Sequence, residues 1–304
     1  MRNRLNNQKG SSMMIFGLTL AVLLGFVSLV TDIGMMAFHR TRLSHAVDSA
    51  ALAGAQELIY HTGHANSKAM DYMRKNSYRT ADVSILTEDD GTAIRVNASY
   101  DVQFLFARVL GFHSKAVHVT AKGKVLPIIA VNEGVRPFAI EEQELQYGVT
   151  YTLKEGGGSG TTGNYGGISL GGSGASVYYN NIVEGYAGRL MVGDTITTEP
   201  GNMSGPTERG IEYLLNQCKA YPKCTFDNFN PNCPKIITVV IVDTLNVNGR
   251  SNVTIKGFAS FFLEGVAGSG NESIVTGKFI RTVTSGDVGE SQTDYGLYGV
   301  KLME

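Results

Sequence analysis

From Met13 to Thr31 the chain places nineteen residues in a row without a charge. As an α-helix rising about 1.5 Å per residue, that run is roughly 28 Å long, close to one bilayer hydrocarbon core. Sliding it later would draw in Asp32 and then Arg40, and a charge near the bilayer centre costs about 2.5–3.5 kcal/mol, so the predicted span is 13–31 and Asp32 sits at its far interface. The pattern then changes without a break. Residues 33–59 contain no proline, and Leu43, Val47, Ala50 and Gly54 recur at four- and three-residue spacing, with Ala46 and Ala53 beside them. This spacing predicts that the helix continues through 32–60 with a small, apolar face, while Arg40, Arg42, Asp48 and Glu57 lie elsewhere on the rod. Such a face suits packing on the chain's own globular part and helix-to-helix assembly with other subunits equally well.

Further on the periods shorten. Residues 61–80 open on a Gly-containing break and spell a short polar helix through Ala69, Met70 and Met73; His61 and His64 lack a third ligand type nearby and read as solvated. Two alternating strands then flank Asp89-Asp90-Gly91, a turn signal. Residues 104–111 form an apolar helical turn or two ending at Gly111, and 115–125 alternate again. Together 61–126 read as a β-meander following a long helix, a pilin-like arrangement. Pro127, Pro137 and the glycine between them mark a domain boundary across 126–137.

Of the 37 glycines, 28 lie from residue 127 onward, so 127–304 is read as a Gly-rich, mostly-β domain. The tract beginning at Gly156 reads as a flexible loop. Strand-like runs fall at 148–155, 175–181, 235–245, 253–266, 273–283 and 295–302, with Val239 to Val242 as a central strand. One helix, Thr207 to Cys218, interrupts them, with Pro206 at its start. The expected fold class is α+β: a long membrane helix, a pilin-like meander, and a sandwich or open barrel with one inserted helix.

A net charge of −1 and the lack of a Lys/Arg-rich run exclude a nucleic-acid binder. Arg2, Arg4 and Lys9 precede the apolar run, against Arg40 and Arg42 after it, which favours a cytoplasmic tail of residues 1–12, a single pass, and the bulk outside the cell membrane. A cleaved signal peptide is the competing reading, but VTDIGMMAFHR offers no small-x-small site. Cys218, Cys224 and Cys233 fall within sixteen residues; outside the cytoplasm they imply one local disulfide and one leftover thiol, with the pairing open. Zinc is the alternative, although their gaps do not match C-x2-C. All six histidines precede residue 119, so the β domain lacks the means for a Ser-His-Asp or Cys-His arrangement. Glu184, Asp194, Glu199, Glu208, Asp243 and Glu264 remain as carboxylate candidates for glycoside hydrolysis. Asp243, Asn246 and Asn248 suit either a calcium loop or a capped turn. Tyr178, Tyr179, Tyr186, Tyr295 and Tyr298 divide between core and a binding surface in an undetermined way. No catalytic residue, cofactor or metal is assigned.

A further pattern joins the first two segments. Gly10 precedes the apolar helix, Asp32-Ile33-Gly34 follows it, and Leu43-Ser44-His45-Ala46-Val47-Asp48-Ser49-Ala50-Ala51-Leu52-Ala53 comes next. This stretch resembles the amino-terminal segment of TadG-like proteins of the Tad (Flp) pilus assembly system, which share a Gly, an Asp-x-Gly and a Leu-x-x-Ala-x-Asp-x-Ala-Ala-Leu-Ala motif. The resemblance implies a bacterial cell-envelope location, with other pilus subunits and the inner-membrane platform proteins as partners besides the lipid bilayer. Tad pilins carry a Glu five residues after the Gly, where a prepilin peptidase cuts; Ile15 stands there in this chain, which implies an uncut amino terminus. Asp32 and Asp48 match the motif and are expected either as solvated charges or as polar contacts setting subunit register. The functional expectation is a non-catalytic structural or assembly component. Its rival is a membrane-tethered surface enzyme or glycan-binding protein acting on polysaccharide.

Overall fold

A single α-helix, α1, spans Lys9–Tyr60, 52 residues without interruption. Within its apolar run Thr19, Ser28 and Thr31 donate their hydroxyls back to the carbonyls of Ile15, Leu24 and Val27 at 2.8, 2.6 and 2.8 Å. Those side chains therefore need no outside partner. Apart from the half-buried Ser28 and Thr31 the run is exposed, from Met13 at 79 % to Val30 at 70 %, and is long and apolar enough to cross a membrane by length and composition.

The computed structural model describes residues 9–76, 78, 81–155, 165–219, 222–268 and 273–303. Most of the tract expected to be a flexible loop, 156–164, and most of the tail 1–12 lie outside the described residues. The chain divides into two compact units, one of residues 1–58, 63–124 and 302–304, the other of 59–62 and 125–301.

In the first unit, α2 (Ala65–Lys75) leads to β1 (Asp82–Glu88), β2 (Ala93–Gln103) and β3 (Ser114–Val131). The strands pair antiparallel in chain order, Asp82 opposite Ser99 and Ala93 opposite Lys124. Asp89, Asp90 and Gly91 all adopt positive φ between β1 and β2, a turn that short polar side chains and glycine tolerate. The small face of α1 packs here: Leu43, Ala46, Val47, Ala50 and Ala51 are fully buried. Two glycines make that approach possible. A Cβ on Gly123 of β3 would overlap the Ala51 carbonyl, and one on Gly54 would come within 2.8 Å of Ile94 and 3.1 Å of Ala69.

The second unit takes in the end of β3 and continues through β4 (Val135–Glu141), β5 (Thr150–Lys154), β6 (Ile168–Ser169), α3 (Ala175–Val183), β7 (Leu190–Met191), β8 (Thr195–Thr198) and α4 (Ser204–Gln217). Then come β9 (Ile236–Val242), β10 (Asn252–Ala267), β11 (Ile274–Ile280), β12 (Thr282–Val283), β13 (Asp287–Val288) and β14 (Leu297–Met303). Its main sheet runs β4-β9-β10-β11-β5. β9 is central, parallel to β4 and antiparallel to β10. Alternate residues feed two cores: Ile237, Val239 and Ile241 join Phe261, Phe279 and the helix residues Ile182 and Ile211, while Val240 and Val242 join Phe258, Ile128 and Leu297. Both faces are thus buried, which explains the nearly unbroken apolar run in β9.

The molecule is α+β, a long apolar helix followed by a mostly-β region with a few helices. Three local expectations change. The stretch 175–181 is helical rather than extended: Tyr178 and Ile182, four apart, enter one core, and Ile182 meets Gly210 of α4 so closely that a Cβ there would come within 2.6 Å. Helix-helix packing overrides the β preference of Val and Tyr. Among the described residues the β region consequently holds two α-helices, where one was expected. And 126–137 is strand for most of its length, since β3 runs on through Pro127 to Val131 and β4 begins at Val135.

Candidate functional site

In the first unit a long-range polar contact organises a local region. Asp32, 5 % exposed, receives the backbone N–H groups of Leu105 (2.8 Å), Ala107 (2.7 Å) and Phe106 (3.2 Å). These belong to the loop between β2 and β3, which makes a 3-10 turn at Ala107–Leu110 and closes on Gly111 at φ 89°. The first amides of a helical turn have no partner of their own, and a carboxylate there serves three at once. Burial alone pushes the Asp32 carboxyl up, but the three N–H donors outweigh it and hold it below its ordinary value of 3.8. Close by, His39 stacks on Tyr100 at 5.2 Å, Tyr78 meets Tyr100 edge-on at 5.2 Å, and the Tyr78 hydroxyl donates to the His39 carbonyl at 3.1 Å.

The remaining motif positions lie along α1. Ala46, Ala50 and Ala51 are fully buried and Ala53 nearly so, Leu52 and Asp48 are half-buried, and Gly34 has nothing within 4 Å of where a Cβ would stand. Gly10 falls in the first turn of the helix. Sequence reasoning singled out Asp32 but missed its partners, because backbone amides carry no residue signature.

In the second unit Cys218, Cys224 and Cys233 converge, their sulfur atoms all within 4.8 Å of one another and those of Cys218 and Cys233 3.4 Å apart. All three are buried against Phe262 and Ile280, with Phe226 and Phe229 alongside. Burial pushes the Cys233 thiol up to about 12.

Four of the six carboxylate candidates are occupied structurally. Glu199 pairs with Arg250 at 2.8 Å, Glu264 with Lys278 at 3.3 Å, and Asp194 caps the Met191 amide at 2.8 Å. Asp243 accepts the amides of Thr244 and Thr254, both at 2.9 Å, as a capped turn. Glu184 is exposed and Glu208 half-buried. Among the tyrosines, Tyr178, Tyr295 and Tyr298 are in the core, while Tyr179 and Tyr186 are half-buried. Two arrangements had escaped the sequence. Glu142 and Asp294 share a cleft of about 490 Å³ with Tyr147 and Arg281, but each accepts a tyrosine hydroxyl, from Tyr295 at 2.7 Å and Tyr298 at 2.8 Å. Lys154 donates to Ser273 Oγ at 3.2 Å, and burial lowers its ammonium to about 8. That pair needs no histidine to act as nucleophile and base, yet both residues are 1 % exposed. Lys154 also bonds Glu155 O and Asn202 Oδ1 at 3.2 and 3.3 Å, the work of a buried amine finding acceptors.

Comparison with known families bears on the first unit. Residues 10–57 match the family described as Flp pilus-assembly TadE/G-like. Residues 42–122 match the one described as Tad-like Flp pilus-assembly. Over its amino-terminal 10–122 the chain is thus similar to TadE/G-like and Tad-like proteins of Flp pilus assembly. No curated protein and no solved structure matches it. The TadE/G-like match starts at Gly10 and contains Asp32, Gly34 and the whole Leu43–Ala53 motif; the Tad-like match takes in the β1-β2-β3 meander and the loop held by Asp32. Such families are structural or assembly proteins rather than catalysts, and they imply interaction with other pilus-assembly components. Membrane anchoring fits the apolar half of α1.

Proposed function

We propose that this protein is a membrane-anchored, non-catalytic structural or assembly component of a Tad (Flp)-type pilus or related secretion apparatus. Residues 13–31 are the single span, 1–12 a cytoplasmic tail, and everything from Asp32 onward stands outside the membrane, where it meets other pilus subunits and inner-membrane platform proteins. The observation that carries this reading is α1 itself, whose exposed apolar half passes without a break into a half buried in a folded unit. The test is an in-frame deletion in the source bacterium, complemented by the wild-type chain tagged at both ends. Loss of pili on deletion, with the carboxy-terminal tag open to protease on intact cells and the amino-terminal tag closed, is the expected result. A freely soluble full-length chain, or normal pili without it, would overturn the reading.

In that compartment two of Cys218, Cys224 and Cys233, all free thiols in this structure with their sulfur atoms within 4.8 Å of one another, are joined and the third stays a thiol. Alkylation of the unfolded, unreduced protein then labels one cysteine, and after reduction three; three labels without reductant refute the pairing.

A further inference from the structure

The loop 104–112 leaves several of its large apolar side chains in the open. Val109 is 89 % exposed, Phe112 64 %, Leu105 56 % and Phe106 44 %. Clustered exposure of this kind in a short loop marks an interaction surface. Its location narrows the choice of partner. Phe104, Phe106, Val109 and Phe112 share an apolar groove of about 820 Å³ with residues of α1 that reach from Met36 back to Leu24. Leu24 precedes Asp32 by eight residues, about 12 Å along the helix axis. The loop thus stands beside the last two turns of the segment assigned to the bilayer.

We propose that this loop is a second membrane element, a wedge that enters the upper acyl region of the leaflet from which α1 emerges at Asp32. The proposal rests on the reading of 13–31 as a span. Irregular backbone is tolerated in lipid only where its polar groups are satisfied, and seven of the nine amides of 104–112 meet that condition. The amides of Leu105, Phe106 and Ala107 go to Asp32. Those of Phe104, Val109, Gly111 and Phe112 go to the carbonyls of His113, Phe106, Arg108 and Ala107. Asp32 gains as well, because its charge enters the interface already bonded to three donors. Around the wedge Arg40, Arg108 and Lys115 are exposed, long cations that extend from an apolar surface to lipid phosphates. Lipid is the occupant because the apolar surface of the loop continues that of the exposed helix segment.

The chain has no tryptophan, so single replacements report without background. Full-length Phe112→Trp and Val109→Trp are reconstituted in vesicles whose lipids carry bromine at shallow or deep acyl positions. Leu20→Trp in the span and Leu86→Trp on β1 serve as references. The expected result is blue-shifted emission at 112 and 109, quenched several-fold more by shallow than by deep bromines; Leu20→Trp responds most to deep bromines and Leu86→Trp to neither. If Leu20→Trp escapes quenching, the span itself fails. If Leu20→Trp is quenched while both loop probes behave like Leu86→Trp, the wedge is refuted and the span stands. Blue-shifted loop probes that no bromine quenches would also refute it, by showing that protein, such as a second copy, covers the groove.

Discussion

The two halves of α1 form one continuous helix and live in opposite surroundings. Gly17, Gly25 and Gly34 have nothing within 4 Å of a notional Cβ, whereas Gly54 is pressed against Ile94, Ala69 and the Ala65 carbonyl. Leu18 is 71 % exposed and Leu43 fully buried. The first half is apolar on every side, as a helix must be when its surroundings are uniformly apolar; the second is apolar on one face and small there, as a helix must be to lie against a sheet. Helix formation needs no more than an unbroken backbone, so the same helix serves both solvents. Side-chain size along the rod decides which solvent each turn tolerates.

That contrast is open to direct attack. The largest effect belongs to Leu43→Ala, which opens a cavity in the first unit and should cost about 3 kcal/mol in denaturant unfolding of the detergent-solubilised protein. Leu18→Ala should change the same measurement by less than about 0.5 kcal/mol; equal losses would mean that the apolar half is packed too. Next comes Gly123→Ala, which forces a methyl into the Ala51 carbonyl and should destabilise by about 1–3 kcal/mol. Gly25→Ala meets open space and should be neutral or gain up to about 1 kcal/mol from helix propensity. The smallest effect lies at the junction. Because the folded Asp32 carboxyl lies below 3.8, the stabilisation it supplies is complete above that pH and lost as pH falls through the lowered value. Amide exchange at 105–107, corrected for intrinsic rates, should therefore stay slow from neutral pH down to about 4 and rise below it. Asp32→Ala should make those three amides fast at every pH, and unchanged protection in that variant would remove Asp32 from its role.

Legibility in the sequence followed the range of the forces involved. The extent of α1, its buried alanine face and the Asp89-Asp90-Gly91 turn rest on neighbours within a few residues, and periodicity or turn chemistry exposes them. The central place of Val239 to Val242 was readable because burial on both faces leaves a composition that alternation would not. The strand expected at 175–181 is a helix: Val177, Tyr178 and Tyr179 carry β-type side chains, but the four-residue spacing of Tyr178 and Ile182 serves a helix pair completed by Gly210, nearly thirty positions later. The loop at 104–112 advertised itself only as an apolar turn ending in glycine. Its tie to Asp32 spans more than seventy residues and depends on main-chain donors, to which sequence patterns are blind. The meeting of three sulfur atoms was foreshadowed by spacing, but which two lie closest depends on how the segment after α4 folds back on Phe262.

The absence of any joint in α1 has a mechanical meaning. A rod of 52 residues is about 78 Å long, so tilting it by about ten degrees at one end moves the other sideways by about 14 Å. With no proline to bend it, the rod is a lever without an elbow. In the proposed role, a tug on the first unit would reach the lipid as torque rather than being absorbed along the way.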